Sequence, residues 1–132
     1  MKIFALRLKP EQDLKKSLKN FVLTNNIEAG FILTAVGSLQ QATIRFANQN
    51  ESHVLLGKFE IVSLVGTLSV NGIHLHISIA DSEGITRGGH LVDGCLIYTT
   101  AEIVIGESED LIFSREVDKQ TGYLELAIYQ KS

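Results

Sequence analysis

The chain has one cysteine, one proline, no tryptophan and no long apolar run. Each shortage excludes something. A single Cys95 forbids an internal disulfide, so packing alone must hold the fold, and a reducing compartment, the cytoplasm, is the expected location. Lys, Glu, His or Asp cuts every apolar stretch well before the roughly 18 residues of a membrane span, so no membrane partner is expected. The opening stretch Met1–Lys9 is too short and too charged to be a secretory leader. With Pro10 the only proline, turning falls mostly to the eleven glycines. Positive charge is not in excess either. The net charge of -3 argues against a broad phosphate-gripping surface. There is no glycine-rich phosphate loop, no nucleophile elbow and no paired-cysteine metal motif.

What is present fits one domain spanning residues 1–132, with 45% hydrophobic and 20% charged residues. Residues 2–8 read as a first strand. Pro10, Glu11 and Asp13 form a helix-start signature, with proline in the first turn and acids at the positive end of the dipole. Leu14, Leu18, Phe21 and Val22 then share one face at the 3.6-residue period, giving a helix of about four turns that Asn25-Asn26 end. The remainder reads as β. Ala29–Val36 is expected as a buried strand, Gly37-Ser38 as a turn, and Ala42–Ala47 as the next strand. Residues 48–52 form a polar loop. Phe59–Val70 is a long strand with Phe59, Ile61 and Val65 on one face and Val62, Leu64 and Leu68 on the other. Asn71-Gly72 predicts a type I′ hairpin into Ile73–Ala80. Cys95–Gly106, Phe113–Glu116 and Gly122–Tyr129 complete the strands. The fold class is therefore α+β: a mainly antiparallel sheet packed against one main N-terminal helix. Both faces of the long strands are apolar, and one helix cannot cover both. A subunit interface is expected to cover the rest.

Three of the four histidines fall within Gly72–Gly94. Strand alternation puts Ile73, Leu75, Ile77 and Ile79 on a core face and His74, His76, Ser78 and Ala80 on the other. Histidines two apart sit roughly 6.5–7 Å from each other along a strand, so both imidazoles can reach one ion. His90, expected on a loop, follows Gly88-Gly89, which can bring it close to the first pair. Three histidines with an open position suit a catalytic zinc site or another borderline transition metal. A pair of surface histidines is the plainer alternative, and His53 in its polar loop is expected to be solvated. Glu60 and Glu102 interrupt apolar strands and are candidates for a general base or for orienting a ligand histidine; solvent or an interface ion pair are the alternatives. Asp81 is expected to cap a turn. Arg87 is either a solvated arginine or an anion contact beside the site. Cys95 is expected as a small buried apolar residue.

Several motifs together resemble the plants and prokaryotes conserved domain. They are Gly57-Lys58-Phe59-Glu60-Ile61, Ser63-Leu64-Val65-Gly66-Thr67, His74-Leu75-His76, Gly88-Gly89-His90-Leu91 with Gly94, and Thr100-Ala101-Glu102-Ile103-Val104-Ile105. The resemblance spans essentially the whole chain. It implies a compact α+β domain assembling as a homotrimer, with His74, His76 and His90 holding a divalent metal, zinc being the expected ion. Plant relatives are DNA-binding regulators that grip A·T-rich minor grooves through a separate Arg-Gly-Arg-Pro hook. This chain has no such tract. Three functional readings follow. The chain is a homotrimeric binding or regulatory module with a metal site, DNA-binding by resemblance. Or it is a metal-dependent enzyme acting on a small molecule, with Glu60 or Glu102 moving a proton. Or its role is assembly alone.

Overall fold

Sixteen residues of unbroken strand, Gly30–Arg45, run through the centre of the sheet. The computed structural model describes residues 1–132. In chain order the elements are β1 (Lys2–Leu8), α1 (Leu14–Thr24), β2 (Gly30–Arg45), β3 (His53–Ser69), β4 (Gly72–Ala80), β5 (Thr86–Leu91), β6 (Leu96–Glu107), β7 (Leu111–Val117) and β8 (Leu124–Gln130). Strands β1-β6-β2-β3-β4-β5 form one antiparallel sheet, and β7–β8 form a separate hairpin. A strand as long as β2 cannot stay flat. Register shifts between Ile32 and Thr34, Gly37 and Leu39, and Leu39 and Gln41 bend it. Its far end reaches the opposite edge, where Ile44 and Arg45 pair with Leu91 and His90 of β5. There the strands β2, β3, β4 and β5 close on themselves.

The helix starts later and runs shorter than its sequence signature implies. Asp13 is the N-cap and accepts a hydrogen bond from the Lys16 N–H at 3.0 Å. Pro10 precedes the helix, and Glu11 takes a φ of 73° in the turn leading in. Asn26, at φ 50°, ends it as expected. Leu14, Leu18 and Val22 are buried in the core with Leu39, Ile44, Leu64, Leu68, Leu75, Ile77, Ile79, Ile97 and Ile103.

Four local expectations are corrected. Gly37-Ser38 does not turn: β2 continues through it, and Gly37 lies where a Cβ would strike the backbone of Thr100 and Ala101. The half of β2 expected to be buried is the more open one, with Val36 58% exposed, while Leu39, Ala42 and Ile44 are sealed. In β3 a shift between Ile61 and Ser63 breaks strict alternation, so Ile61 and Leu64 both face the core and Val62 and Val65 both face out. The β3–β4 hairpin is present, but its two loop residues are Val70 and Asn71, flanked by the Ser69–Gly72 pair. Only Gly72 has positive φ there, so this is not a type I′ turn on Asn71-Gly72. Side chains shape it instead. The Ser69 hydroxyl accepts from the Asn71 N–H at 2.8 Å and donates to the Phe113 carbonyl at 2.9 Å.

Candidate metal centre

The alternation in β4 is as the sequence implies. Leu75, Ile77 and Ile79 are 1–2% exposed, so His74 and His76 point away from the core. His90 comes from a strand, not a loop. It sits in β5, in register opposite His76. Gly88 and Gly89 make that strand possible by close approach. A Cβ on Gly88 would lie 2.6 Å from the Ile77 carbonyl oxygen, and one on Gly89 would lie 2.5 Å from that of Arg45. Glycine lets β5 wedge between β4 and β2.

The loop after β5 is tied down from two sides. The Gly94 N–H donates to Asp13 at 2.7 Å, and its carbonyl accepts from Thr43 at 2.9 Å and Gln41 at 3.0 Å. Gly94 itself has a φ of 106°. The helix N-cap thus also anchors the segment that positions His90.

The three imidazoles converge. Ring centroids are 5.1 Å apart for His74–His76 and His74–His90, and 5.8 Å for His76–His90. One ring nitrogen from each lies within 4.8 Å of the others. Tetrahedral zinc–nitrogen bonds of about 2.0–2.1 Å need nitrogens about 3.3 Å apart, so ring rotation has to close a gap of about 1–1.5 Å. The donor set of three imidazoles fits a borderline divalent cation, and no carboxylate or thiol joins the cluster.

Electrostatics favour the neutral, ligating form. Burial lowers the His74 pKa, and Arg115, His76 and Arg45 push it further down, while Glu125 pulls the other way. Burial, then Arg45, His74 and Lys15, lower the His90 pKa to about 4. Neither ring has to give up a proton to a metal at neutral pH. Arg115 contacts the cluster directly: one terminal nitrogen donates to the Leu124 carbonyl at 2.8 Å and to Nδ1 of His74 at 3.4 Å. Gly72 is open to it, since a Cβ there would lie 2.6 Å from the Arg115 side chain.

The other candidates lie elsewhere. Glu60 is exposed on β3, paired with Ala80, and Glu102 is exposed on β6, paired with Val36 and Arg7; neither joins the histidines. Asp81 accepts from the Glu83 and Ile85 N–H groups and closes the β4–β5 turn. Arg87 is exposed opposite Ile79, beside Asp81 on a shallow groove. His53 opens β3 and stacks on Phe46 at 4.9 Å. Cys95 is fully buried, donates to the Thr43 carbonyl, and has its thiol pKa pushed by burial to about 11. Sequence reasoning missed Arg45 and Arg115, because nothing local marks either one. Only the β2–β5 register and the position of the second hairpin bring them to the histidines.

A long bent antiparallel sheet, one short helix and an outward histidine cluster define the class. A model of the plants and prokaryotes conserved domain matches residues 1–109, and the chain belongs to that family. A bifunctional GlmU protein of Synechococcus sp. (strain JA-3-3Ab) is 52% identical over 128 residues, covering 97% of this chain and 21% of that protein. The chain therefore spans about one fifth of the length of the curated relatives it matches. A hypothetical protein of Salmonella has a solved structure with 41% identity and a TM-score of 0.97, covering 99% of this chain and 95% of that one. A protein of Archaeoglobus fulgidus described as metal-containing has 27% identity and a TM-score of 0.81, with 96% and 94% covered. Other solved structures described provisionally as DNA-binding share 23% and 18% identity and speak for the fold alone.

Proposed function

We propose that this chain is a metal-binding module that works as a homotrimer, with one divalent ion, zinc, held by His74, His76 and His90. The observation that carries the reading is the convergence of three imidazoles from two adjacent strands. The metal-containing description of the Archaeoglobus relative supports it. A bound ion would act as a Lewis acid at its open position, polarising a ligand or activating water. The chain's own contribution is to hold three imidazole rings on a rigid strand pair, backed by sealed aliphatic side chains. Trimer formation rests on the family resemblance and on the exposed valines and leucines of β2 and β3, which need cover. Zinc titrated calorimetrically into chelator-treated protein should bind one ion per chain, and His90→Ala should weaken it at least about a hundredfold. Heat of binding indistinguishable between the two proteins would end the metal reading.

A second reading, a metal-dependent enzyme on a small molecule, draws on the same open position; Glu60 and Glu102 stand away from the histidines of their own chain, so neither moves a proton there. Regulation through DNA follows from the family resemblance. It requires affinity that falls steeply with salt, and no shift of any duplex at low salt would remove it.

A further inference from the structure

Three imidazole ligands contribute no negative charge to a divalent ion. The groups around them make the imbalance larger. Arg115 reaches His74 from β7, and Arg45 stands opposite His90 across the β2–β5 pairing; among the charges acting on His74, Glu125 is the acid and Arg115 and Arg45 are cations. In surroundings of this sign an ion is left uncompensated unless something anionic joins it.

The guanidinium of Arg115 is placed for that. It can only donate, so Nδ1 of His74 is the acceptor of the 3.4 Å contact. That contact and metal ligation exclude each other. If Nε2 binds the ion, Nδ1 keeps its proton and cannot accept; if Nδ1 binds the ion, its lone pair is taken. Ligation therefore frees an Arg115 N–H while the Leu124 carbonyl still holds the side chain. The carbonyl of Phe113, two residues earlier, is held by Ser69 and by Asn71 at 2.9 Å, so the arginine is carried on a fixed backbone.

We propose that the open position of the three-histidine centre takes a small oxyanion, held by the ion and by charge-assisted hydrogen bonds from Arg115 and Arg45. The proposal rests on the metal reading above and names the ligand class of that site. Carboxylate and phosphate share the required chemistry: a planar or tetrahedral oxyanion face that a guanidinium grips with two N–H groups. The site then selects ligands by charge. Arg115 belongs to the β7–β8 hairpin, outside the residues 1–109 that the family model matches, while Arg45 ends β2 inside them, so the two halves of the grip come from different parts of the chain.

The test is calorimetry of inorganic phosphate in one arm and malonate in the other, on zinc-treated wild type, Arg115→Gln and Arg45→Gln. Metal content is measured on the same samples. Expected is binding of at least one anion by wild type and a loss of about tenfold or more in each variant, with metal content undiminished. The arm that binds more tightly tells phosphate from carboxylate. Wild type that holds metal but binds neither anion, or variants that bind as well as wild type, overturns the anion site and leaves the metal reading standing. Arginine-dependent anion binding in protein that holds no metal keeps the anion site and ends the metal reading. Neither metal nor anion in wild type ends both. Arg115→Lys, which keeps the charge but not the fork, should recover part of the affinity if the charge is what acts.

Discussion

His90 carries the largest electrostatic burden of the three histidines. Its pKa of about 4 in the folded chain lies below the usual 6.5, chiefly through burial and then through Arg45. The unfolded chain therefore binds a proton that the folded chain refuses. In metal-free protein, stability should be unaffected by this group above pH 6.5 and should fall as pH drops from there towards 4. Urea unfolding at intervals across that range should show the fall, and His90→Asn should flatten it; parallel curves for the two proteins would contradict the assignment. At this scale the sequence was largely legible. A strand with isoleucines and leucine on one face must put His74 and His76 together on the other, and it does. Arg45 and Arg115 were not legible, because their proximity to the histidines depends on pairings between distant segments.

At the scale of elements, β5 is the informative case. Thr86-Arg87-Gly88-Gly89-His90-Leu91 has no strand signal, since two glycines offer no side chain to pack. It is a strand because glycine lets it fit between the carbonyls of Ile77 and Arg45. Gly89→Ala should cost about 1–3 kcal/mol, as overpacking against backbone does, and should lower metal affinity by displacing His90. Chemical denaturation and zinc titration read the two effects; an alanine variant unchanged in both would show that β5 has room. Asp13 links two elements, capping α1 and holding Gly94. Asp13→Ala should cost about 1–3 kcal/mol, from a lost cap and a part-buried N–H left without its partner. Thermal unfolding measures it, and a loss confined to a few tenths would mean that water replaces both bonds. Gly37 shows the opposite failure of legibility: a glycine that reads as a turn serves as a close contact between β2 and β6.

For the molecule as a whole, the mainly antiparallel α+β architecture followed from strand alternation, one amphipathic helix and short connections. The bending that closes β2 onto β5 did not, because it depends on register shifts that no single strand encodes. The two-faced apolar strands have a clear counterpart: Val36, Val62 and Val65 are more than half exposed and Leu56 is 76% exposed. Burying such a surface is worth about 25 cal/mol per Å², enough to drive association. Wild type should run as a trimer in sedimentation at micromolar concentration, and Val36→Glu with Val65→Glu should shift it to monomer without unfolding it. Wild type that is monomeric under those conditions would contradict the trimer.

The central claim is that His74, His76 and His90 form one metal site. Elemental analysis of protein purified without chelator tests it most directly, on wild type and on His74→Ala side by side. About one divalent ion per chain in wild type, falling to near zero in the variant, is expected for a three-histidine site. Wild type holding less than about a fifth of an ion per chain, with no change in His74→Ala, would contradict it.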